Sequence, residues 1–413
     1  MCLLQKKCLR PVPIDLGRME IFMNLTSVIF AIVAVVCAAL ISYTVTPPVR
    51  LLAFRIGAVD IPTDSRRMHK KPTPRIGGLG IFVGFTVSTL VFCDFSAELF
   101  AIWIGGAILV VLGILDDILR LSALLKLLVQ LCAAGVAVCF GIVIDQITIF
   151  GLVIEFGVFA IPITLLWIVG LSNAINLIDG LDGLACGVSA ITSLSILGVV
   201  LITGDMTSAL ITAILVGACG GFLPYNKNPA SIFMGDTGAL FLGYTLAIIS
   251  VQGLFKLHTV LSFLVPLSIF ALPLLDTLVA IGRRLIHKQS PFHPDRGHLH
   301  HKLVDMGFTH KEAVRLLYAI SGIMGLVAVT YTDAMFHESR GWKSMIIAIV
   351  AIIIIILNFL CLRKPSTRIL SGLAEHISEK RLEEAKSMHA AAELKEETKK
   401  DSGGGQKPED QEE

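Results

Sequence analysis

Acidic, amide and imidazole side chains interrupt this otherwise apolar chain in four clusters, and each cluster lies where an apolar run begins or ends. The clusters are residues 116–117, 173–183, 235–238 and 294–301. A charged side chain is costly inside a bilayer, so ionisable residues at such boundaries are candidates for function. We predict that the four clusters form one site.

The first cluster is Asp116-Asp117, and Lys126 follows it at the start of the next apolar run. Adjacent carboxylates repel each other, so such a pair needs a cation, a proton or a basic substrate group nearby. A lysine just inside an apolar run needs an anion or must extend to the membrane surface. These residues are therefore candidates for catalysis, and a polar helix end is the alternative for the aspartate pair.

The second cluster repeats a polar side chain every three residues: Asn173, Asn176, Asp179 and Asp182. Glycines lie between them, so the backbone can approach a ligand closely. Oxygen ligands of this kind suit Mg²⁺, which proteins often hold with one or two carboxylates together with substrate phosphates. A structural cap at a helix end is the alternative.

The third cluster places Asp236 directly after Gly235, at the start of another apolar run. An aspartate there caps the helix by default, and the free N–H groups of a helix start also attract phosphate. We favour a metal-binding role for Asp236 because the other carboxylates are predicted on the same side of the membrane.

The fourth cluster contains His298, His300 and His301, with Arg296 and Lys302 on either side. A zinc site is the alternative reading of three histidines, but no nearby Cys or Glu completes a ligand set. The basic surroundings favour an anion, most simply a diphosphate.

Asp276 lies in a further apolar run, outside the four clusters. Arg283 and Arg284 follow it on the same predicted helical face. We therefore predict an internal ion pair there rather than a catalytic role.

Composition assigns the chain to the membrane proteins. Of its 413 residues, 54% are hydrophobic and 16% are charged, and the mean hydropathy is +0.79. Soluble domains carry roughly a quarter charged residues. The nine cysteines include no C-x-x-C pair, so neither a disulfide framework nor a zinc site is indicated. The net charge is only +2, and we expect no nucleic-acid partner.

The predicted fold is an all-α polytopic membrane protein with about eleven transmembrane helices. A span takes about 20 apolar residues. The candidate spans are 24–46, 77–93, 99–115, 123–142, 158–172, 186–203, 207–222, 237–254, 259–282, 316–333 and 344–362. Residues 143–157 instead alternate β-branched and polar types around a glycine, which predicts a small β-hairpin outside the cytoplasm.

Three regions follow from these spans. Residues 1–23 are an N-terminal extension, residues 24–362 are the transmembrane catalytic domain, and residues 363–413 are a charged cytoplasmic tail. The tail is rich in Glu, Lys and Ala, so we expect it to be soluble and partly disordered.

Lysine and arginine concentrate in alternate loops, and this bias places those loops in the cytoplasm. The loop predicted after the first span begins with Arg50 and Arg55, and all four polar clusters then face the cytoplasm. The basic residues before the first span favour the opposite orientation: Lys6, Lys7, Arg10 and Arg18. Translation from Met19 or Met23 would remove most of this conflict.

Together the motifs resemble those of the polyprenyl-phosphate N-acetylhexosamine-1-phosphate transferases, glycosyltransferase family 4. This membrane superfamily includes the enzymes that initiate teichoic acid and O-antigen synthesis and the phospho-MurNAc-pentapeptide translocase. The resemblance covers roughly residues 45–335. It implies a bacterial cytoplasmic membrane enzyme whose active-site loops face the cytoplasm and assemble from the four clusters.

The resemblance also implies residue roles. The implied catalytic residues are Asp116, Asp117, Asp179 and Asp182, and the implied metal ligands are Asp236 and Asn176. The implied substrate-binding residues are Lys126, Asn173, Asn176, Arg296, His298, His300 and His301. The expected cofactor is Mg²⁺, with Mn²⁺ as the alternative ion.

Residues 60–78 and 294–302 are similar to the branch that uses UDP-N-acetylglucosamine (UDP-GlcNAc), and Ala239 replaces the usual serine of the third cluster. The expected reaction transfers GlcNAc-1-phosphate from UDP-GlcNAc to undecaprenyl phosphate, giving undecaprenyl-diphospho-GlcNAc and UMP. Asp116 or Asp117 would deprotonate or orient the lipid phosphate, and a covalent aspartyl-phosphate is the alternative to a single displacement.

Three other functions remain open. A pentapeptide translocase or a transferase for another UDP-N-acetylhexosamine would keep the chemistry and change the sugar. A transporter is disfavoured, because the acidic residues cluster at one face and the sequence shows no inverted repeat. The expected partners are the two substrates and membrane lipids, and a homodimer is compatible with the resemblance.

Overall fold

The computed structural model describes residues 25–61, 72–149, 152–255, 263–287, 298–337, 345–346, 348–353 and 378. Arg296 and most of the tail lie outside these residues. The first half of the described chain contains helices α1 (Leu25–Ile56), α2 (Gly78–Phe92), α3 (Ala97–Leu119), α4 (Ala123–Cys139) and α5 (Ala160–Ile178). The second half contains α6 (Leu184–Thr203), α7 (Met206–Asn226), α8 (Gly235–Gly253), α9 (Leu264–Ile269), α10 (Ala271–Ile286), α11 (Leu299–Asp305) and α12 (His310–Phe336).

The helices are long and apolar enough to make this a multi-pass membrane protein. Within the described residues, six candidate spans meet the length and hydropathy needed to cross a bilayer. They are Ser27–Ile56, Ala97–Leu119, Gly157–Ile178, Leu184–Thr203, Met206–Asn226 and His310–Phe336. Two shorter apolar helices are Gly78–Phe92 and Ala123–Cys139. The all-α membrane class is thus confirmed, and the count of eleven spans stays a prediction.

Two of the predicted spans have different limits in the structure. The first helix continues to Ile56 through Pro47 and Pro48, so Arg50 and Arg55 lie on α1 and not in a following loop. Packing of α1 along α2 and α7 overrides the helix-breaking tendency of the two prolines. The predicted span 259–282 is interrupted at Phe270, where α9 ends and α10 begins.

The two sheets within the described part of the chain are small antiparallel pairs. Strands β1 (Val59–Asp60) and β2 (Thr73–Pro74) pair just before α2. Strands β3 (Gln146–Ile149) and β4 (Leu152–Glu155) form the hairpin predicted within residues 143–157. The alternation of β-branched and polar residues was therefore a sound indication of strand pairing.

Helix α8 occupies the centre of the bundle and packs against α3, α5, α2 and α6. Tyr244, which is fully buried on α8, places its hydroxyl 3.0 Å from the carbonyl oxygens of Ala101 on α3 and Ala133 on α4. At the other end of α3, a Cβ added to Gly113 would clash with the backbone of Thr237. This close approach brings the end of α3 directly against the start of α8, where the first and third polar clusters lie.

Candidate active site

Four polar residues from four helices meet at one end of the bundle. The Lys126 Nζ atom at the start of α4 lies 2.8 Å from Asp116 Oδ2 and 3.2 Å from Asp236 Oδ2. Asn176, near the end of α5, donates from Nδ2 to Asp236 Oδ2 at 3.3 Å. One ammonium group therefore neutralises two carboxylates that lie 120 positions apart in sequence.

These residues line a pocket of about 420 Å³. Its lining residues are Arg75, Asp116, Asp117, Arg120, Leu121, Lys126, Asn176, Leu177 and Asp236. The volume lies in the range of small-molecule sites, but the lining is unusually rich in charge. Three cationic and three anionic side chains suit a ligand that carries phosphates together with a cation.

The turn between α3 and α4 directs Asp116 toward Lys126. Arg120 ends α3 in the left-handed region, with φ of 54°, which is uncommon for a residue other than glycine. The Asp116 carboxylate stabilises this turn, because its Oδ1 atom accepts a hydrogen bond of 2.7 Å from the Leu121 N–H. Ser122 then caps α4, which places Lys126 in the first turn of that helix.

Asp117 has a different environment from its neighbour. Its side chain is only 1% exposed, and its Oδ2 atom accepts a 3.1 Å hydrogen bond from the Thr237 hydroxyl. Its Oδ1 atom lies 3.7 Å from Arg75 Nε. Arg75 lies within residues 60–78, which resemble the UDP-GlcNAc branch, but no sequence pattern shows which carboxylate it would reach.

Asn173 pairs with a residue that the sequence analysis did not single out. Its Nδ2 atom donates to Gln130 Oε1 at 2.6 Å, and Gln130 Nε2 donates back to Asn173 Oδ1 at 3.3 Å. The pair joins α4 and α5 one helical turn deeper than Lys126 and Asn176. A lone glutamine four residues after Lys126 in an apolar run was the available indication.

Asp179 and Asp182 have different surroundings in the structure. Burial raises the pKa of Asp179 to about 8, and the negative charges of Asp236 and Asp117 add to this shift. Asp179 therefore belongs electrostatically to the carboxylate cluster. Asp182 instead accepts hydrogen bonds from Asn228 Nδ2 at 2.9 Å and from the Ala230 N–H at 3.1 Å. Its carboxylate holds the connection between α7 and α8, and its catalytic role stays a prediction.

Residues 298–301, which we call the histidine segment, dock against the second cluster. The His300 ring packs so closely on Gly180 that a Cβ there would clash with its Nε2 atom. The rings of His298 and His300 are nearly parallel at 5.8 Å, and the His301 ring lies 4.3 Å from that of His300. Burial, together with the neighbouring His301, lowers the pKa of His300 to about 4, so His300 is neutral near pH 7.

Asp276 anchors the histidine segment. Its Oδ2 atom lies 3.0 Å from His298 Nδ1, and its Oδ1 atom accepts a 2.8 Å hydrogen bond from the Leu299 N–H. The sequence analysis predicted an ion pair of Asp276 with arginines of α10 and did not predict this contact. The histidine segment comes close to Asp276 only in the folded chain. Arg296, the fourth predicted anion-binding residue of this region, lies outside the described residues.

The donor set at the carboxylate cluster suits a hard cation better than a soft one. Within the described part of the chain, no group of three or more His, Cys, Asp or Glu side chains converges as a ready metal site. Asp236 and Asn176 nevertheless offer adjacent oxygen-bearing groups at the pocket wall. Two protein ligands are few for Ca²⁺ or Zn²⁺ but are common for Mg²⁺, which takes its other ligands from water and substrate phosphates.

Comparison with known proteins finds a matching family model and several similar proteins. Residues 99–254 match the model of glycosyl transferase family 4. The chain is 41% identical over 326 residues to the probable undecaprenyl-phosphate N-acetylglucosaminyl 1-phosphate transferase of Bacillus subtilis, covering 78% of this chain and 89% of that protein.

Two further relatives match a similar share of the chain. The decaprenyl-phosphate N-acetylglucosaminephosphotransferase of Mycolicibacterium smegmatis is 36% identical over 360 residues, covering 79% of this chain and 88% of the relative. The undecaprenyl-phosphate alpha-N-acetylglucosaminyl 1-phosphate transferase of Escherichia coli K12 is 29% identical over 314 residues, with 73% and 83% covered.

Proposed function

Because the chain belongs to glycosyl transferase family 4, we propose that it transfers N-acetylglucosamine 1-phosphate from UDP-GlcNAc to undecaprenyl phosphate. UMP is the second product, and undecaprenyl-diphospho-GlcNAc begins a cell-envelope polysaccharide. The observation that carries this proposal is the Lys126 ammonium shared by Asp116 and Asp236 in a charged pocket at the helix ends. The relatives from Bacillus subtilis and Escherichia coli are named for the same type of transfer.

The position of the pocket suits one soluble and one lipid substrate. Asp116 and Lys126 lie at the ends of apolar helices, where a membrane-dissolved acceptor can present its phosphate to water. We assign this end to the cytoplasmic face of the bacterial plasma membrane, since UDP-sugars are cytoplasmic and the basic loops favour that side.

Both reacting groups are phosphates, so catalysis consists mainly of alignment and charge neutralisation. Lys126 and Arg120 line the pocket and supply positive charge to phosphate oxygens. The neutral imidazole of His300 is fixed against Gly180 and cannot carry much of that charge near pH 7. The histidine segment does not line this pocket, so lysine and arginine neutralise the phosphates there. Substrate binding by His298, His300 and His301 stays a prediction.

We propose Mg²⁺ as the cofactor, with Asp236 and Asn176 as its protein ligands. An asparagine carries both an N–H donor and an oxygen acceptor, so Asn176 can turn its oxygen toward a cation. When bound, the ion would neutralise the diphosphate of the sugar nucleotide. Mn²⁺ accepts the same oxygen ligands and is the alternative.

Asp116 is the residue best placed to act on the acceptor phosphate. Its carboxylate is partly exposed to the pocket and is held by Lys126 and the Leu121 N–H. Asp116 orients the lipid phosphate and takes its proton. A lipid phosphate oxygen then bonds to the β-phosphorus of UDP-GlcNAc, and the bond from that phosphorus to the bridging oxygen breaks, which releases UMP. One displacement suffices, without an aspartyl-phosphate.

The test is UMP release by the purified protein in detergent with undecaprenyl phosphate. Two matched comparisons are made: UDP-GlcNAc against UDP-MurNAc-pentapeptide, and about millimolar Mg²⁺ against excess EDTA. We expect release with UDP-GlcNAc and Mg²⁺ only. Release with the pentapeptide donor instead would reassign the sugar, and unchanged release in EDTA would reject the metal. UMP formation without any lipid acceptor would favour the covalent route.

A further inference from the structure

The two adjacent aspartates of the first cluster do not share one environment. The Asp116 side chain is 11% exposed and contacts Lys126 across the pocket, whereas the Asp117 side chain is 1% exposed. Asp117 lies at the pocket wall, but its carboxylate oxygens contact Thr237 in the first turn of α8 and Arg75. A group so enclosed is poorly placed to exchange a proton with a substrate.

Asp117 is instead bound to two other segments of the chain. Its Oδ2 atom accepts hydrogen bonds from the Thr237 hydroxyl at 3.1 Å and, more weakly, from the Thr237 N–H at 3.5 Å. Its Oδ1 atom lies 3.7 Å from Arg75 Nε. The carboxylate therefore connects α3, the start of α8 and the segment between β2 and α2.

The first turn of α8 needs this support. Gly235 has φ of 70°, and a Cβ there would clash with the Arg75 carbonyl oxygen. The residue before the helix is Met234, whose apolar side chain is a poor cap. The Asp117 carboxylate takes the place of a cap, because it accepts hydrogen bonds from a residue of the first turn and brings negative charge to a helix start.

Backbone hydrogen bonds hold Arg75 in the same arrangement. The Phe233 N–H donates to the Pro74 carbonyl at 2.8 Å, and the Gly77 N–H donates to the Phe233 carbonyl at 2.9 Å. The Gly78 N–H donates to the Met234 carbonyl at 2.9 Å. The segment that carries Arg75 is thus paired with the residues that lead directly into Asp236.

We propose that Arg75 and Asp117 are a positioning pair that locks the Gly235–Thr237 turn, so that the Asp236 carboxylate faces Lys126 and Asn176. Asp117 then takes no proton from the substrate, and that task belongs to Asp116. This division deepens the proposed transferase function and rests on it for its catalytic readout. The contacts of Asp117 with Arg75 and Thr237 are observed in the structure and do not depend on that function.

The effects of single and double variants distinguish a positioning pair from a catalytic acid. Arg75 is 35% exposed and Asp117 is the buried member of the pair. Removal of the arginine leaves a buried carboxylate without its partner, which costs more than removal of both charges. Arg75→Ala should therefore be more harmful than the double variant Arg75→Ala/Asp117→Asn, in which no buried charge is left unpaired. Independent catalytic contributions would instead multiply in the double variant.

The experiment is a double-variant cycle on the full-length protein in detergent, with kcat and KM for UDP-GlcNAc and the thermal unfolding midpoint without substrates. We expect kcat to fall about 100-fold in Arg75→Ala and about 10-fold in Asp117→Asn, with the double variant close to Asp117→Asn. Arg75→Lys, which restores a charge to the pair, should recover kcat to within about threefold of the unmodified protein.

Two outcomes would overturn the pair. One is a double variant whose kcat loss equals the product of the single losses, and the other is Arg75→Lys as inactive as Arg75→Ala. If the unmodified protein releases no UMP from UDP-GlcNAc, the transferase function fails but the pair is still decided by the unfolding midpoints. The midpoint of Arg75→Ala should then lie below that of the double variant, and the reverse order would reject the pair.

Discussion

The imidazole of His300 packs on the backbone of Gly180, at a position where no side chain fits. This contact joins the histidine segment to the polar turn that follows α5, although the two are 120 residues apart in sequence. The fourth cluster is thereby attached to the second, and the second contacts the third through Asn176 and Asp236.

Gly180→Ala should displace the histidine segment, because the added Cβ collides with the His300 ring. We expect UMP release to fall by about 10-fold to 100-fold. Gly170→Ala is the matched control, since a Cβ at Gly170 on the neighbouring helix α5 meets no atom within 4 Å. Equal activities of the two variants would show that the contact does not matter for turnover.

Lys126→Met should abolish most activity, because the lysine neutralises two carboxylates that would otherwise repel each other. A buried charge left without its partner costs several kcal/mol, and Lys126 is partly exposed, so a loss of about 100-fold in kcat/KM is expected. Lys311→Met, on the exposed start of α12, is the control and should retain activity. A comparable kcat/KM for both variants would contradict the assigned role.

Variants of the hydrogen-bonded pair Gln130 and Asn173 can distinguish a structural role of Asn173 from a substrate-binding role. Gln130→Leu leaves the Asn173 side chain with only its hydrogen bond to the Val169 carbonyl and should lower the unfolding midpoint. The double variant Gln130→Leu/Asn173→Leu removes both polar groups and should recover stability. If Asn173 binds substrate as its motif suggests, this recovered protein will still be inactive. Full activity in the stable double variant would make the pair purely structural.

The pH dependence of stability tests the environment of His300. Its pKa of about 4 lies below the ordinary value of 6.5, so the unfolded chain binds the proton more readily. His300 therefore favours folding above about pH 6.5, and this contribution is lost as the pH falls toward 4. Within the described residues its Nε2 atom also has no hydrogen-bond partner. His300→Gln should flatten the decline of the unfolding midpoint between pH 6.5 and pH 4, and an unchanged decline would refute the assignment.

Much of the candidate site could be predicted from the residue types and their spacing in the sequence. Asp116, Lys126, Asn176 and Asp236 were all identified, because polar residues at the ends of apolar runs have few structural explanations. The hairpin at 146–155 followed from β-branched alternation on both sides of a glycine.

Other features depend on contacts between distant segments. Arg75 reaches Asp117, Gln130 reaches Asn173 and Asp276 reaches the histidine segment only through the packing of separate helices. Helix α1 also continues beyond Pro47 and Pro48, because α2 and α7 pack along it and stabilise it. A single sequence contains no periodicity that reports such pairings.

Transfer of GlcNAc-1-phosphate as one group is tested most directly with a donor that carries two isotopic labels. UDP-GlcNAc labelled with ³²P at the β-phosphate and with ¹⁴C in the sugar is incubated with the protein, Mg²⁺ and undecaprenyl phosphate, and the lipid product is extracted. If GlcNAc-1-phosphate is transferred as one group, both isotopes enter the lipid in the ratio of the donor, and Asp236→Asn abolishes both. Lipid that carries ¹⁴C without ³²P would show transfer of the sugar alone and would contradict the central claim.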